Sequence, residues 1–350
     1  MFQSRRPSSW SLSFVGVLRL IGVAMVGAGC GAATAGVPGP VEAPAPAPAP
    51  VDDNPFAGTP LYRAPYSNAE NAQKQSEKDN PADAALVAKI AAQPQASWYG
   101  GWSGDITTAV RNYVDAADRA GAVPLLVAYN VPNRDCGSYS AGGATDSGAY
   151  TRWIEGFAEG VGDRRAVVVL EPDAIPLLKQ CLSEADQAKR LELIRQAVVA
   201  LEARAGVAVY IDAGHSNWVP ADEMAARLKL AGVDKARGFA LNVSNFQGDD
   251  ELIAYGKAVV QAIGSDTHFI IDSSRNGNGP VPSTGDPEFW CNPEGRALGR
   301  PPSSETGVAE LDAFVWIKRP GESDGECKGG PPAGQWFQAR ALEMARNAKW

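Results

Sequence analysis

Seven short apolar runs recur along the chain, at 96–100 (ASWYG), 123–130 (VPLLVAYN), 166–172 (AVVVLEP), 207–214 (VAVYIDAG), 238–244 (GFALNVS), 268–274 (HFIIDSS) and 313–318 (AFVWIK). Apolar runs of this length, rich in β-branched residues, read as buried strands. Amphipathic helical patterns lie between them. In 146–161, Tyr150, Trp153, Ile154, Phe157 and Val161 recur at three- and four-residue steps and give one apolar face. Leu191, Ile194, Val198 and Leu201 repeat the pattern, and Ser183 with Asp186 forms a capping box ahead of it. Strands alternating with helices give a parallel sheet, either open and doubly wound or closed into a barrel. No GxGxxG follows the first strand and no GxxxxGK[ST] occurs. The glycine-rich GWSGD and SAGGATDSG lack the lysine of a phosphate loop, which counts against nucleotide binding. Polar residues follow almost every run, as at the rim of a barrel where active sites form, so a barrel is expected.

The third run poses the sharpest question. In VVVLEPDAIP (167–176) an apolar strand ends directly on Glu171, Pro172 and Asp173. A buried carboxylate is costly unless it is paired or held neutral. Either Asp173 escapes to solvent, or caps a helix, or its discomfort is useful. The other run ends add Tyr129, Arg134 and Asp135 after the second, Asp212, His215 and Trp218 after the fourth, and Asn242 after the fifth. Asp272 and Arg275 follow the sixth, and Lys318, Glu322 and Asp324 the seventh. One rim thus gathers carboxylates, a few cations and aromatic rings.

The 350 residues are 45% hydrophobic and 21% charged, enough for a sizeable core. Arg5 and Arg6 precede an apolar run from Phe14 to Val26 and then small residues, so 1–35 reads as a secretory signal peptide. Cleavage is expected in Ala33-Thr34-Ala35; the competing reading is a lipid anchor at Cys30. Alternating Ala-Pro in 36–53 reads as an extended spacer, and 54–350 as the catalytic domain. The formal charge is −8, and losing Arg5, Arg6 and Arg19 with the leader brings it to −11, which argues against nucleic acid or an anionic membrane as partner. The mature form is expected to lack a membrane-spanning segment and to be a monomer. Without Cys30, four cysteines remain, an even set that in a secreted chain reads as two disulfides. Zinc is disfavoured: there is no CxxC, and His215 and His268 are the only histidines. No metal or cofactor is expected.

Paired carboxylates with aromatic platforms and no metal motif point to glycoside hydrolysis, in which one acid protonates the leaving oxygen and another carboxylate assists water or attacks the sugar. Trp98, Trp218 and Trp290 lie in or beside loops, whereas Trp153, Trp316 and Trp336 fall in helix or strand patterns and read as core. A Ser-His-Asp hydrolase would want GxSxG at a sharp strand-to-helix turn; the one match, GESDG at 321–325, lies in a glycine-rich loop with no helical pattern directly after it. Blander readings exist: Asp135 as a turn residue, Asp324 as a solvated loop acid, His215 as a core histidine, Lys318 as a solvated strand-end lysine.

VAYNVPNRDCGSYSAGG together with VVVLEPDAIP resembles the signature segments of glycoside hydrolase family 6, the cellulases that include endoglucanases and cellobiohydrolases. YIDAGHSNW, IIDSSRNGNGP, FWCNPEGRALG and FVWIKRPGESDG resemble further family segments in the same order, so the likeness spans roughly 54–347. The resemblance implies an α/β fold, a distorted seven-stranded parallel β/α barrel in a single domain, acting on β-1,4-glucan with inversion. It implies Asp173 as general acid, Asp135 as the neighbour that helps keep it protonated, and Asp324 as candidate base. Tyr129 would press on the sugar at the cleavage point, Asp212 would support the acid, and Arg134 and Arg275 would balance charge. Trp98, Trp218 and Trp290 resemble sugar platforms; His215, Asn242, Lys318 and Glu322 resemble hydroxyl-binding positions; Ser140 resembles a loop serine that handles water. Glu171 is expected to serve structure or charge balance. The family's disulfides suggest Cys136–Cys181 and Cys291–Cys327. The short stretch between Asp324 and the helix expected from GQWFQA leaves little chain for a roof, so an open cleft is expected.

Overall fold

A computed structural model describes residues 54–282 and 285–350; the expected leader (1–35) and spacer (36–53) lie outside the described residues. Two helices, α1 (Asn68–Asp79) and α2 (Pro81–Ala91), precede the first strand. The strands are β1 (Ser97–Tyr99), β2 (Leu125–Ala128), β3 (Ala166–Leu170), β4 (Val207–Asp212), β5 (Gly238–Leu241), β6 (His268–Asp272) and β7 (Leu311–Val315). Helices α3 (Ile106–Arg119), α4 (Ser147–Val161), α5 (Leu178–Cys181), α6 (Glu184–Glu202), α7 (Ala221–Leu230) and α8 (Asp249–Ile263) connect them, and α9 (Gln338–Asn347) follows β7. Every neighbouring pair is parallel and the sheet order is the sequence order, β1 to β7. The sheet curls until its edges meet: Ala96 N donates to Trp316 O at 2.9 Å and Trp98 Nε1 to Ile317 O at 2.8 Å. This is the distorted seven-stranded barrel expected from the sequence.

The continuous apolar runs have a direct cause. Side chains alternate across a strand, and here both faces are covered. Val127, Val167, Val169, Tyr210, Ile270 and Val315 fill the barrel interior. Their neighbours Leu126, Val168, Leu170, Ile211, Phe239 and Phe269 pack under the outer helices. Helix starts follow local chemistry: Asp146 accepts from Ala149 N at 2.8 Å to cap α4, and Ser183 accepts from Asp186 N at 3.2 Å to cap α6. The Ser183 hydroxyl also donates to the Asp186 carboxylate, so the expected pair meets, with the return bond made between side chains and not to the Ser183 amide. Trp316 is fully buried, while Trp153 and Trp336 pack against the core from its margin.

The strands end earlier than the apolar runs. Glu171, Asp173, Asn242 and Ser244 have φ between 50° and 66°, in the left-handed region, so the backbone leaves the ladder directly after Leu170 and Leu241. Non-glycine residues in this region are strained and need support from their surroundings. Among the described residues all such positions lie at the exits of β2, β3 and β5 or beside the Cys291–Cys327 bridge.

Cys136–Cys181 joins the β2 exit to the end of α5, and Cys291–Cys327 joins the long β6–β7 connection to the segment after β7. The bridges close intervals of 45 and 36 residues. Replacing either pair by serine should therefore cost about 2–4 kcal/mol of unfolding free energy. Denaturant titration of each double variant checks this; an unchanged midpoint would show that the bridge constrains neither state.

Candidate active site

The carboxyl ends of the strands surround a cleft of about 1030 Å³. Its floor is organised by buried carboxylates that accept from backbone amides. Glu171 accepts from Asn130 N through both oxygens at 2.9 Å and from Val131 N at 3.0 Å, so β3 holds the β2 exit. Asp212 accepts from Asp173 N at 2.8 Å, so β4 holds the β3 exit. Asp272 accepts from Ser244 N, Ser274 N, Ile317 N and Lys318 N at 2.9–3.3 Å, holding the exits of β5 and β7. Two arginines add clamps from outside. Arg190 of α6 donates to Pro132 O and Asn133 O, and Arg227 of α7 to Ile175 O and Pro176 O.

Asp173 stands half-buried at the cleft surface. Burial first, then the nearby carboxylates of Asp212 and Asp135, push its pKa well above the ordinary range against the pull of Lys318. It caps no helix; only its backbone carbonyl accepts, from Leu177 N. Asp212 is raised to about 7, chiefly by burial, and its Oδ1 has no hydrogen-bond partner in the protein. Glu171 is likewise raised to about 7 by burial. Asp135, whose Oδ2 accepts from Ser140 N at 2.8 Å, is raised by burial. Asp324 is the opposite case. Burial pushes it up, but Arg275 and Lys318 outweigh that and hold it below the usual range. Arg275 Nη1 reaches its two oxygens at 2.8 and 2.9 Å, Lys318 Nζ lies at 3.1 Å, and Asn292 N donates at 3.1 Å.

The structure brings Trp98, Tyr129, Asp135, Ser140, Asp173, His215, Trp218, Trp290, Lys318, Glu322 and Asp324 together on the cleft wall. Tyr129 meets Trp98 edge to face at 5.3 Å. His215 is lowered to about 4 by burial, so it is neutral in ordinary buffers, and its ring lies 5.4 Å from that of Trp218. Glu322, raised by burial, is already shared with Asn68 Nδ2 and Arg319.

Three of the expected site residues do not line the cleft. Asn242 is fully buried, donating to Asp272 O at 2.8 Å and accepting from Gln247 N at 2.9 Å, so its amide is turned into the protein and out of reach of a ligand hydroxyl. Asp212 and Arg275 are also buried, Asp212 accepting from the Asp173 amide and Arg275 donating to the Asp324 carboxylate. Arg134 pulls against the raised Asp135 and Glu171 by its charge, as expected, and its guanidinium also donates to Tyr129 O, Ser140 O and Ala141 O, stacked between the rings of Tyr129 at 4.5 Å and Trp102 at 4.9 Å. Trp102, 57% exposed, and Tyr139 line the cleft and were missed. The available signal was a large ring in the glycine-rich stretch GWSGD, and an aromatic beside Ser140.

A curled parallel sheet with a carboxylate-rich, aromatic-lined cleft at its carboxyl edge is the architecture of a barrel glycoside hydrolase. The family model described as Glycosyl hydrolases family 6 matches residues 56–348, and the chain belongs to that family. It is 47% identical over 271 residues to Endoglucanase A of Cellulomonas fimi, covering 77% of this chain and 57% of that protein. It is 45% identical over 294 residues to Endoglucanase A of Thermobispora bispora, covering 83% and 62%. The chain thus spans about three fifths of the length of these two relatives. Among solved structures it resembles the endoglucanase Cel6 of Mycobacterium tuberculosis, in complex with methyl-cellobiosyl-4-deoxy-4-thio-β-D-cellobioside, with a TM-score of 0.80 and 44% identity over 84% of this chain and 99% of that one.

The raised carboxyls give a pH signature of folding. In the unfolded chain Glu171 and Asp212 release their protons near their ordinary values of 4.5 and 3.8, whereas in the fold they hold them to about 7. Between those limits the folded state binds more protons, so their contribution to stability is complete below about pH 4 and is lost as pH rises through 7. Each group accounts for a loss on the order of 3 kcal/mol across that window. Asp212→Asn and Glu171→Gln should each flatten the fall in Tm between pH 4.5 and 7.5. A slope equal to wild type in calorimetry would refute the assignment.

Proposed function

We propose that this protein is a secreted endo-β-1,4-glucanase, a cellulase that cleaves β-1,4-glucosidic bonds with inversion. The observation that carries the reading is the contrast between Asp173, pushed up by burial and by its carboxylate neighbours, and Asp324, held charged by Arg275 and Lys318, on one aromatic-lined cleft. Environments that drive two carboxyls apart assign acid and base roles. The endoglucanase names of the relatives and the thio-linked cellobioside in the neighbouring structure support β-1,4-glucan as substrate.

In this mechanism Asp173 donates its proton to the glycosidic oxygen as the bond to the anomeric carbon breaks. Asp135 and Asp212 keep that proton on Asp173 until then. The face of Tyr129 crowds the sugar at the cleavage point and favours a distorted ring, and Trp98, Trp218 and Trp290 stack on flanking sugars. Neutral His215, Lys318 and Glu322 exchange hydrogen bonds with hydroxyls. Water attacks from the far face, near Ser140, and its proton passes towards Asp324. A carboxylate held by two cations is a weak proton acceptor, so Asp324 also contributes by placing fixed negative charge near the developing oxocarbenium ion.

The leader pattern in 1–35, the Ala-Pro spacer in 36–53 and two disulfides in the domain at 54–350 support export to an oxidising compartment, with a lipid anchor at Cys30 as the variant reading. No helix among the described residues is long and apolar enough to cross a membrane. The second reading is exo action by a cellobiohydrolase. Against it, only a short stretch separates Asp324 from α9, too little for a long roof.

Asp173→Ala should lower kcat on cellulose derivatives by about 10²–10⁴-fold, and much less on aryl glycosides whose leaving group needs no proton. Asp324→Asn should lose comparable activity on both; equal losses for Asp173→Ala on both would remove it as the acid. Proton NMR of early hydrolysis should show the α-anomer first. An initial β-anomer would require a covalent carboxylate nucleophile and overturn inversion.

A further inference from the structure

Trp102 borders the cleft but takes no part in the mechanism above. It follows Trp98 by four residues, across Gly100 and Gly101, in the loop that leaves β1. Ser103 closes this loop twice on Gly100: its hydroxyl accepts from Gly100 N at 3.1 Å, and its amide donates to Gly100 O at 3.0 Å. The indole is thereby folded back over Gly100, so closely that a Cβ there would stand 2.4–2.8 Å from three carbons of its six-membered ring. The Arg134 guanidinium lies 4.9 Å from the ring and is itself pinned by Ser140 O and Ala141 O. The side chain is therefore held in place, yet it remains 57% exposed and faces the cleft. Among the described residues its indole N–H has no acceptor, whereas that of Trp98 donates to Ile317 O. Ordering a large ring costs conformational freedom, and a ring left open to water recovers little of that through burial. A β-glucosyl unit supplies what is missing: apolar C–H faces to stack on the ring, and equatorial hydroxyls at its rim for the N–H. A platform ordered beforehand binds it with less loss of freedom.

We propose that Trp102 is a substrate-contact residue, the platform of an outer subsite that takes one further glucosyl unit and so makes cleavage favour longer β-1,4-glucan chains. This rests on the glucanase reading above. The Arg134 guanidinium stands between the rings of Trp102 and Tyr129, 4.5 Å from the latter, so the indole lies one layer outward from the cleavage point and a short substrate ends before reaching it. Gly100 belongs to the same subsite, because any larger residue would lift the ring from its seat.

Trp102→Ala removes the platform, Trp102→Phe keeps a smaller one, and Gly100→Ala keeps the indole but displaces it. The measurement is kcat/KM on cellohexaose, which is long enough to reach the subsite, and on an aryl cellobioside, which is not. An aromatic stacking contact of ordinary strength corresponds to about three- to tenfold in affinity. Trp102→Ala should lose about that factor on cellohexaose and stay within about twofold of wild type on the aryl cellobioside. Trp102→Phe should keep most of the cellohexaose activity, and Gly100→Ala should fall between the two. Losses equal on both substrates in all three variants would mean that the ring only braces Arg134 and Tyr129, and would overturn the subsite; so would no loss in any of them. If the wild-type protein cleaves neither substrate, the glucanase reading fails, and the subsite is then judged by calorimetric titration with cellohexaose. Weaker binding to Trp102→Ala than to wild type upholds the platform, and equal binding, or none to either, removes it.

Discussion

Everything at the cleft hangs on carboxylates that accept from the backbone of the neighbouring strand exit. A parallel ladder stops where the strands diverge, and the amides beyond it lose their partners. Burying such amides unpaired is costly. Glu171, Asp212 and Asp272 take them up, each bridging to an adjacent strand end. Because of this the backbone can turn sharply into left-handed conformations at Glu171 and Asp173 without fraying. The rigid Pro172 between them fixes the direction of the turn. Asp173 projects into the cleft because its own amide is held by Asp212.

The same device sets the electrostatics. At Glu171 and Asp212 burial outweighs the hydrogen bonds they accept, and at Glu171 also the pull of Arg134, so both hold protons towards neutrality. Asp173 inherits that environment. On the β7 side the cations are concentrated: Arg275 and Lys318 both engage Asp324, and Arg275 also stacks on Phe246 at 4.4 Å. A gradient of proton affinity thus runs across the cleft, from the β3–β4 exits to the β7 exit, with no metal ligand cluster among the described residues contributing to it.

The fold was legible because its signals are periodic. Continuous apolar runs identify doubly covered strands, and the α4 and α6 stripes and the Ser183 cap appear where the pattern puts them. The cleft carboxylates were legible because an acid directly after a buried strand is anomalous on physical grounds. What escaped was orientation. Asn242, Asp212 and Arg275 occupy the same kind of position as Tyr129 and Asp173, yet their side chains turn to neighbouring backbone or to another side chain, and sequence position does not encode that. The hydrogen bonds of Arg134 escaped for a similar reason: their acceptors are carbonyls, which every sequence supplies. Trp102 and Tyr139 escaped because an aromatic in a glycine-rich loop has no periodicity to read.

These two kinds of residue divide the work of the site. The buried acceptors need a fixed geometry, and they sit on strand ends braced by Arg190, Arg227 and Cys136–Cys181. The tip at 138–141 is braced from within its own loop, by Arg134 donating to Ser140 O and Ala141 O and by Asp135 accepting from Ser140 N. Asp135, at the disulfide-tied root, is bound to the tip through Ser140 N, so the tip and the carboxylate cluster share one geometry. An acid with a raised pKa depends on unchanging neighbours, and these contacts keep Asp135 in place beside Asp173 while the bond from its own amide to Asp212 fixes Asp173 itself.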